Sequence, residues 1–141
     1  RWQKSLKMYK GIIDTSVLLR FLTSNSLEKK EKFKRLIKDA DREKSILFIP
    51  LMVVIELVYV LEKIYRLPKE DVREKVESLE ALSVIEIESE DVVLEALRIY
   101  IEEDLKFGDA MILAKSRTSG IKPVYTFDKK DFKKFSDAHV L

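Results

Sequence analysis

Four acidic side chains stand at positions where solvation alone is not their only plausible role: Asp14, Glu56, Asp109 and Asp128. Asp14 and Asp128 each close an apolar run, Met8-Tyr9-Lys10-Gly11-Ile12-Ile13 and Val124-Tyr125-Thr126-Phe127. Both runs read as short strands, and open parallel sheets bind ligands in the crevice outside the carboxyl ends of their strands. The plainer roles are an N-cap for Asp14 and a turn residue for Asp128. Glu56 lies inside Leu51–Leu61, a segment apolar on nearly every side. A helix apolar all round is expected to be buried, and a carboxylate there needs a salt-bridge partner or a bound cation. Asp109 follows Gly108 at an expected helix start, where the helix dipole favours negative charge and simple capping is the plain role. Asp104 and Asp131 make weaker claims, since neither clearly opens an element. Ser16 and Thr126 can add hydroxyls to the same crevice.

The remaining composition narrows the chemistry. The chain has no Cys and one His, His139, which removes thiolate zinc sites, disulfide frameworks, cysteine nucleophiles and most imidazole catalysis. Carboxylates, hydroxyls and lysines remain. Several acids crowded together cannot all stay ionised without positive charge nearby. A hard divalent cation meets that need, and oxygen-only ligation selects Mg²⁺ or Mn²⁺ over zinc. Such a site suits phosphodiester hydrolysis, with one or two ions activating water and stabilising the attacking and leaving oxygens.

The charge is small in sum and segregated in sequence. The net value is +2, yet Lys69–Asp91 holds nine acids against three bases and Lys115–Lys134 seven bases against two acids. A field of this kind can guide a polyanion to one side, although a charge run is also what a solvated helix face looks like. Lys129, Lys130, Lys133 and Lys134 bracket Asp128 and are placed to hold phosphates that flank a reacting one. No apolar run approaches the roughly 18–20 residues of a membrane span, so a cytoplasmic setting without membrane contact is expected.

Positioning those acids requires alternating strands and helices, and the patterns supply them. After the first strand, Asp14-Thr15-Ser16 starts a short helix that ends before Asn25-Ser26. Phe33, Leu36, Ile37 and Ala40 place one face of a helix over about 27–44. Ile46–Ile49 reads as a strand covered on both faces. Pro50 and Pro68 each open a helix. A strand over about 83–88, a helix over about 90–103 and a helix over 110–118, closed by Gly120, follow. Then come the strand 124–127, a short helix 129–135 and an edge strand at 138–141. The pattern predicts an α/β fold with a mostly parallel sheet of four to five strands and helices on both faces. At 141 residues one domain is expected, over 8–141, with residues 1–7 an upstream extension ahead of Met8.

In this order and spacing the residues resemble a known family. Ile12-Ile13-Asp14-Thr15-Ser16-Val17-Leu18, Val54-Ile55-Glu56-Leu57-Val58-Tyr59-Val60-Leu61, Phe107-Gly108-Asp109-Ala110-Met111-Ile112-Leu113-Ala114 and Val124–Phe132 are similar to the motifs of PIN-domain ribonucleases, which include VapC-like toxins. The resemblance spans residues 8 to about 135 and rests on the combination of motifs, no one of which is specific. It implies a PIN-like fold and a catalytic, metal-binding quartet on Asp14, Glu56, Asp109 and Asp128. It also implies Mg²⁺- or Mn²⁺-dependent endoribonuclease activity on RNA, a homodimer, and an antitoxin protein as partner.

Other readings stay open from sequence. A PIN domain with this quartet can be an RNA-processing enzyme or a structure-specific DNA nuclease instead of a toxin. A phosphoryl-transfer domain with Asp14 as nucleophile lacks the second acid two residues on, since position 16 is Ser. A catalytically silent nucleic-acid-binding module would have no need of all four acids.

Overall fold

The computed structural model describes residues 7–141. The chain forms two compact units, one ending at Glu88 and the other spanning Ser89–Leu141. Of the expected upstream segment 1–7, residues 1–6 lie outside the described residues, and the Lys7 ammonium pairs with Glu86.

The first unit is built on three parallel strands in the order β1-β2-β3: β1 Tyr9–Ile12, β2 Ile46–Ile49 and β3 Ile85–Ile87. Parallel neighbours cannot be joined by a tight turn, so each crossover carries helices. The first holds α1 (Thr15–Thr23) and α2 (Leu27–Glu43). The second holds α3 (Leu51–Tyr59), a π-helical turn over Val60–Ile64, and α4 (Lys69–Glu80). Leu47 pairs with Gly11 on one side and Ile85 on the other, and Ile49 pairs with Ile87, which makes β2 the middle strand. Leu47 and Ile49 are buried while Ile46 and Phe48 are half-buried, so one face of this apolar strand is more open than its composition predicts. Phe21 of α1 and Phe33 of α2 pack at 4.5 Å between ring centroids.

In the second unit α5 (Glu90–Glu102) packs on α6 (Phe107–Ser119). Val93, Ala96, Leu97 and Tyr100 of α5 and Ala110, Leu113 and Ala114 of α6 are all fully buried. Tyr100 meets the Phe107 ring edge-on at 5.6 Å. Gly120 ends α6 at φ +74°, a left-handed conformation that costs glycine little. The strands β4 (Val124–Thr126) and β5 (Ala138–Val140) pair in parallel around α7 (Lys129–Phe132). All five expected strands are thus present and every pairing is parallel, hydrogen-bonded as a set of three and a set of two. No helix among the described residues is long and apolar enough to cross a membrane.

Candidate functional site

In the first unit, the turn after β1 places three adjacent side chains. Asp14 is the N-cap of α1, with extended backbone, and its Oδ2 accepts from the Ser16 amide at 3.3 Å and from the Ser16 hydroxyl at 2.7 Å. The Ser16 hydroxyl, then the Ser16 amide, hold the Asp14 carboxyl below the usual aspartate range. The cap fixes the carboxylate's direction and leaves it exposed at the carboxyl end of β1. Thr15 is buried, and its hydroxyl donates to Glu56 Oε1 at 2.5 Å.

Glu56 corrects the sequence expectation of burial. In α3 the stripe Val53, Val54, Leu57 and Val58 is buried, whereas Met52, Ile55, Glu56 and Tyr59 are exposed. Apolar composition all round gave no sign of which stripe would be covered, and the helix's 3.6-residue period put Glu56 on the open one. Among the described residues Glu56 has no cationic partner of the kind weighed for it, and its polar contact is the neutral Thr15 hydroxyl. Nearby, the Glu88 carboxylate just beyond β3 accepts the Leu51 amide at 2.9 Å, supplying the cap that Pro50 lacks.

In the second unit, α6 starts at Phe107, so Asp109 is the third helical residue and not the cap. Burial pushes its carboxyl above the usual range. The Lys106 cation opposes that shift, and Asp131 and Asp128 reinforce it. Asp128 caps α7: its Oδ1 accepts the Asp131 amide at 3.0 Å, while its own amide donates to Thr126 Oγ1 at 2.9 Å. These two bonds fix Asp128 and make Thr126 its support. Asp109, Asp128 and Asp131 each offer a carboxylate oxygen, all within 4.8 Å of one another. Octahedral Mg²⁺ at about 2.1 Å from its ligands separates their oxygens by roughly 3–4 Å, so modest side-chain rotation suffices to close on an ion. The all-oxygen donor set also fits a hard cation and not zinc.

The cluster also takes in Asp131, whose claim from sequence was weaker. The available signal was its spacing: Asp128 and Asp131 are i and i+3 across a helix start, which puts both on one side of the first turn. Among the four lysines near Asp128, all exposed, Lys134 is already engaged by Glu103 at 3.3 Å and lies over the Phe135 ring. His139 sits on β5 against the Tyr125 ring at 5.6 Å.

Comparison with known proteins now adds a decisive fact. The PIN domain family pattern matches residues 11–138. This chain belongs to the PIN domain family. It is 34% identical over 123 residues to a VapC ribonuclease of Aquifex aeolicus (strain VF5), covering 87% of this chain and 90% of that protein. A chain of a solved toxin-antitoxin complex from Klebsiella pneumoniae is 24% identical, covering 93% of this chain and 97% of that one at a TM-score of 0.36.

Proposed function

We propose that this PIN-domain chain is a VapC-type endoribonuclease that hydrolyses RNA with the help of Mg²⁺ or Mn²⁺. The reading rests on the oxygen-only cluster of Asp109, Asp128 and Asp131 in a chain 34% identical to a protein named a ribonuclease. Residues 8–141 act as one nuclease domain. Asp14, Glu56, Asp109 and Asp128 are the metal-ligating, catalytic carboxylates, and Asp131 joins Asp109 and Asp128 in their cluster. Held by these carboxylates, a divalent cation would supply Lewis acidity toward water and positive charge against the phosphoryl oxygens.

The protein's own groups do the rest. Ser16 and Thr126 hold Asp14 and Asp128 in place through hydrogen bonds. Thr15 does the same for Glu56. Lys129, Lys130 and Lys133 meet backbone phosphates, with Lys134 partly spent on Glu103. Water attacks phosphorus opposite the 3′-oxygen, and that oxygen leaves with a proton. The products carry 5′-phosphate and 3′-hydroxyl ends. In this reading the enzyme works in the cytoplasm as a homodimer, and a cognate antitoxin protein covers the site to silence it.

Mass spectrometry of cleaved single-stranded RNA tests the reaction. The expected result is 5′-phosphate ends, loss of cleavage in EDTA, and loss of cleavage in Asp109→Asn. A 2′,3′-cyclic phosphate, or undiminished cleavage in EDTA, would overturn the reading.

A further inference from the structure

Within the first unit, α1 and α2 enclose a groove of about 400 Å³ that the four-acid reading does not use. Its walls carry Arg20, Lys29 and Lys32 and no acid, over an apolar floor that includes Val17 and Phe33. Arg20 and Lys29 enter no ion pair among the described residues. Lys32 reaches only Glu28, at 3.5 Å, with both side chains mostly in solvent. Such a pair is weak and yields readily to a better anion. Three cations therefore line one groove with no strong acidic partner among the described residues. The groove also adjoins one candidate carboxylate of its own unit, Asp14, because Ser16 lines it and donates its hydroxyl to Asp14 at 2.7 Å.

We infer that this groove holds the sugar-phosphate backbone of single-stranded RNA immediately beside the cut, with Arg20, Lys29 and Lys32 as its phosphate contacts. The inference rests on the ribonuclease reading and adds a second phosphate-binding surface, distinct from the lysines of 129–134. The chain's net charge of +2 is too small to hold a polyanion by its general field, so a local concentration of cations must do so. Cations along a groove track successive phosphates, and an apolar floor suits riboses and base faces.

The test compares the intact chain with Arg20→Gln/Lys29→Gln/Lys32→Gln. A control, Lys34→Gln/Lys38→Gln/Lys44→Gln, removes the same charge; Lys34 and Lys38 lie on the opposite face of α2. Binding of a fluorescein-labelled single-stranded RNA is measured in Ca²⁺ across a salt series, and cleavage in Mg²⁺. For the groove variant we expect RNA binding at least about ten-fold weaker. The slope of log affinity against log salt should be shallower by about 2, roughly 0.7 per cation for single strands. KM should rise, with kcat held within about two-fold. The control should stay within about two-fold of the parent, and Lys29→Arg/Lys32→Arg should retain binding. Unchanged affinity and slope in a groove variant that melts like the parent would overturn the inference. So would an equal loss in the control, which would point to overall charge. If RNA binding is untouched but capture of the cognate partner protein falls, the groove belongs to a protein and the inference fails. A parent that binds RNA through the groove but never cleaves it would sink the nuclease reading and leave the groove assignment standing. A parent that neither binds nor cleaves would end both.

Discussion

The Thr15 hydroxyl donates to Glu56 Oε1 at 2.5 Å, which ties the residue after Asp14 to the middle of α3. Thr15 is buried and Glu56 exposed, so the bond reaches from the core of the first unit to its surface. Thr15→Val keeps the shape and removes the donor, while Glu56 can recover water. The expected cost is about 1 kcal/mol, with Thr15→Ser closer to the parent. Urea unfolding of the two variants measures it. If Glu56 is a metal ligand, Thr15→Val also lowers cleavage more than Thr15→Ser does.

Asp109 leads to the opposite sign of stability change. Its carboxyl is pushed above the usual range by burial and by Asp131 and Asp128. The folded state therefore holds that proton more tightly than the unfolded chain, and its stability falls as pH rises through the raised value. At neutral pH in EDTA, Asp109→Asn should melt higher than the parent. The advantage should fade as pH drops below the ordinary aspartate value of 3.8. With Mg²⁺ the order narrows or reverses, because a ligand that binds only the folded state stabilises the parent. Thermal melts at pH 7 and pH 3.5, with and without metal, report all three outcomes.

Asp137 works the other way. Arg117 on α6 donates to both of its oxygens, at 3.1 and 3.3 Å, and holds the carboxyl below the usual range. A depressed folded value means the stabilisation is complete above the unfolded pKa and is lost as pH falls through the folded one. Asp137→Asn should cost about 0.5–1 kcal/mol at neutral pH, as befits a pair near the surface. The gap between variant and parent should close in acid. A gap that stays constant down to pH 2 would assign the loss to packing.

Two glycines at the ends of α6 separate by backbone geometry. Gly120 adopts φ +74°, so Gly120→Ala should destabilise by about 1 kcal/mol although open space surrounds it. Gly108 lies in the first turn, where an added Cβ would meet nothing within 4 Å, and Gly108→Ala should stabilise by about 0.5 kcal/mol. Differential scanning calorimetry of the two variants should show shifts of opposite sign.

Local rules explain why so much was legible in advance. Strand and helix order, the Asp14 cap and the end of α6 at Gly120 depend on residues within a turn or two of each other. The acid after β1 and the acid after β4 were visible for the same reason, since each closes an apolar run. The sequence by itself therefore determined the α/β class, the parallel pairing that helical crossovers demand, and the positions of Asp14 and Asp128 along the chain. What it could not determine was which faces are covered. Glu56 is exposed because the Val54–Leu57–Val58 stripe of α3 is the covered one, and α1, which packs on α3, comes from a distant part of the chain. Thr15 meets Glu56 across 41 residues of chain, and Asp109 meets Asp131 because the turn that Asp128 caps carries Asp131 to it. Such contacts are products of packing, in which side chains far apart in sequence compete for the same space, and only the tertiary structure decides them.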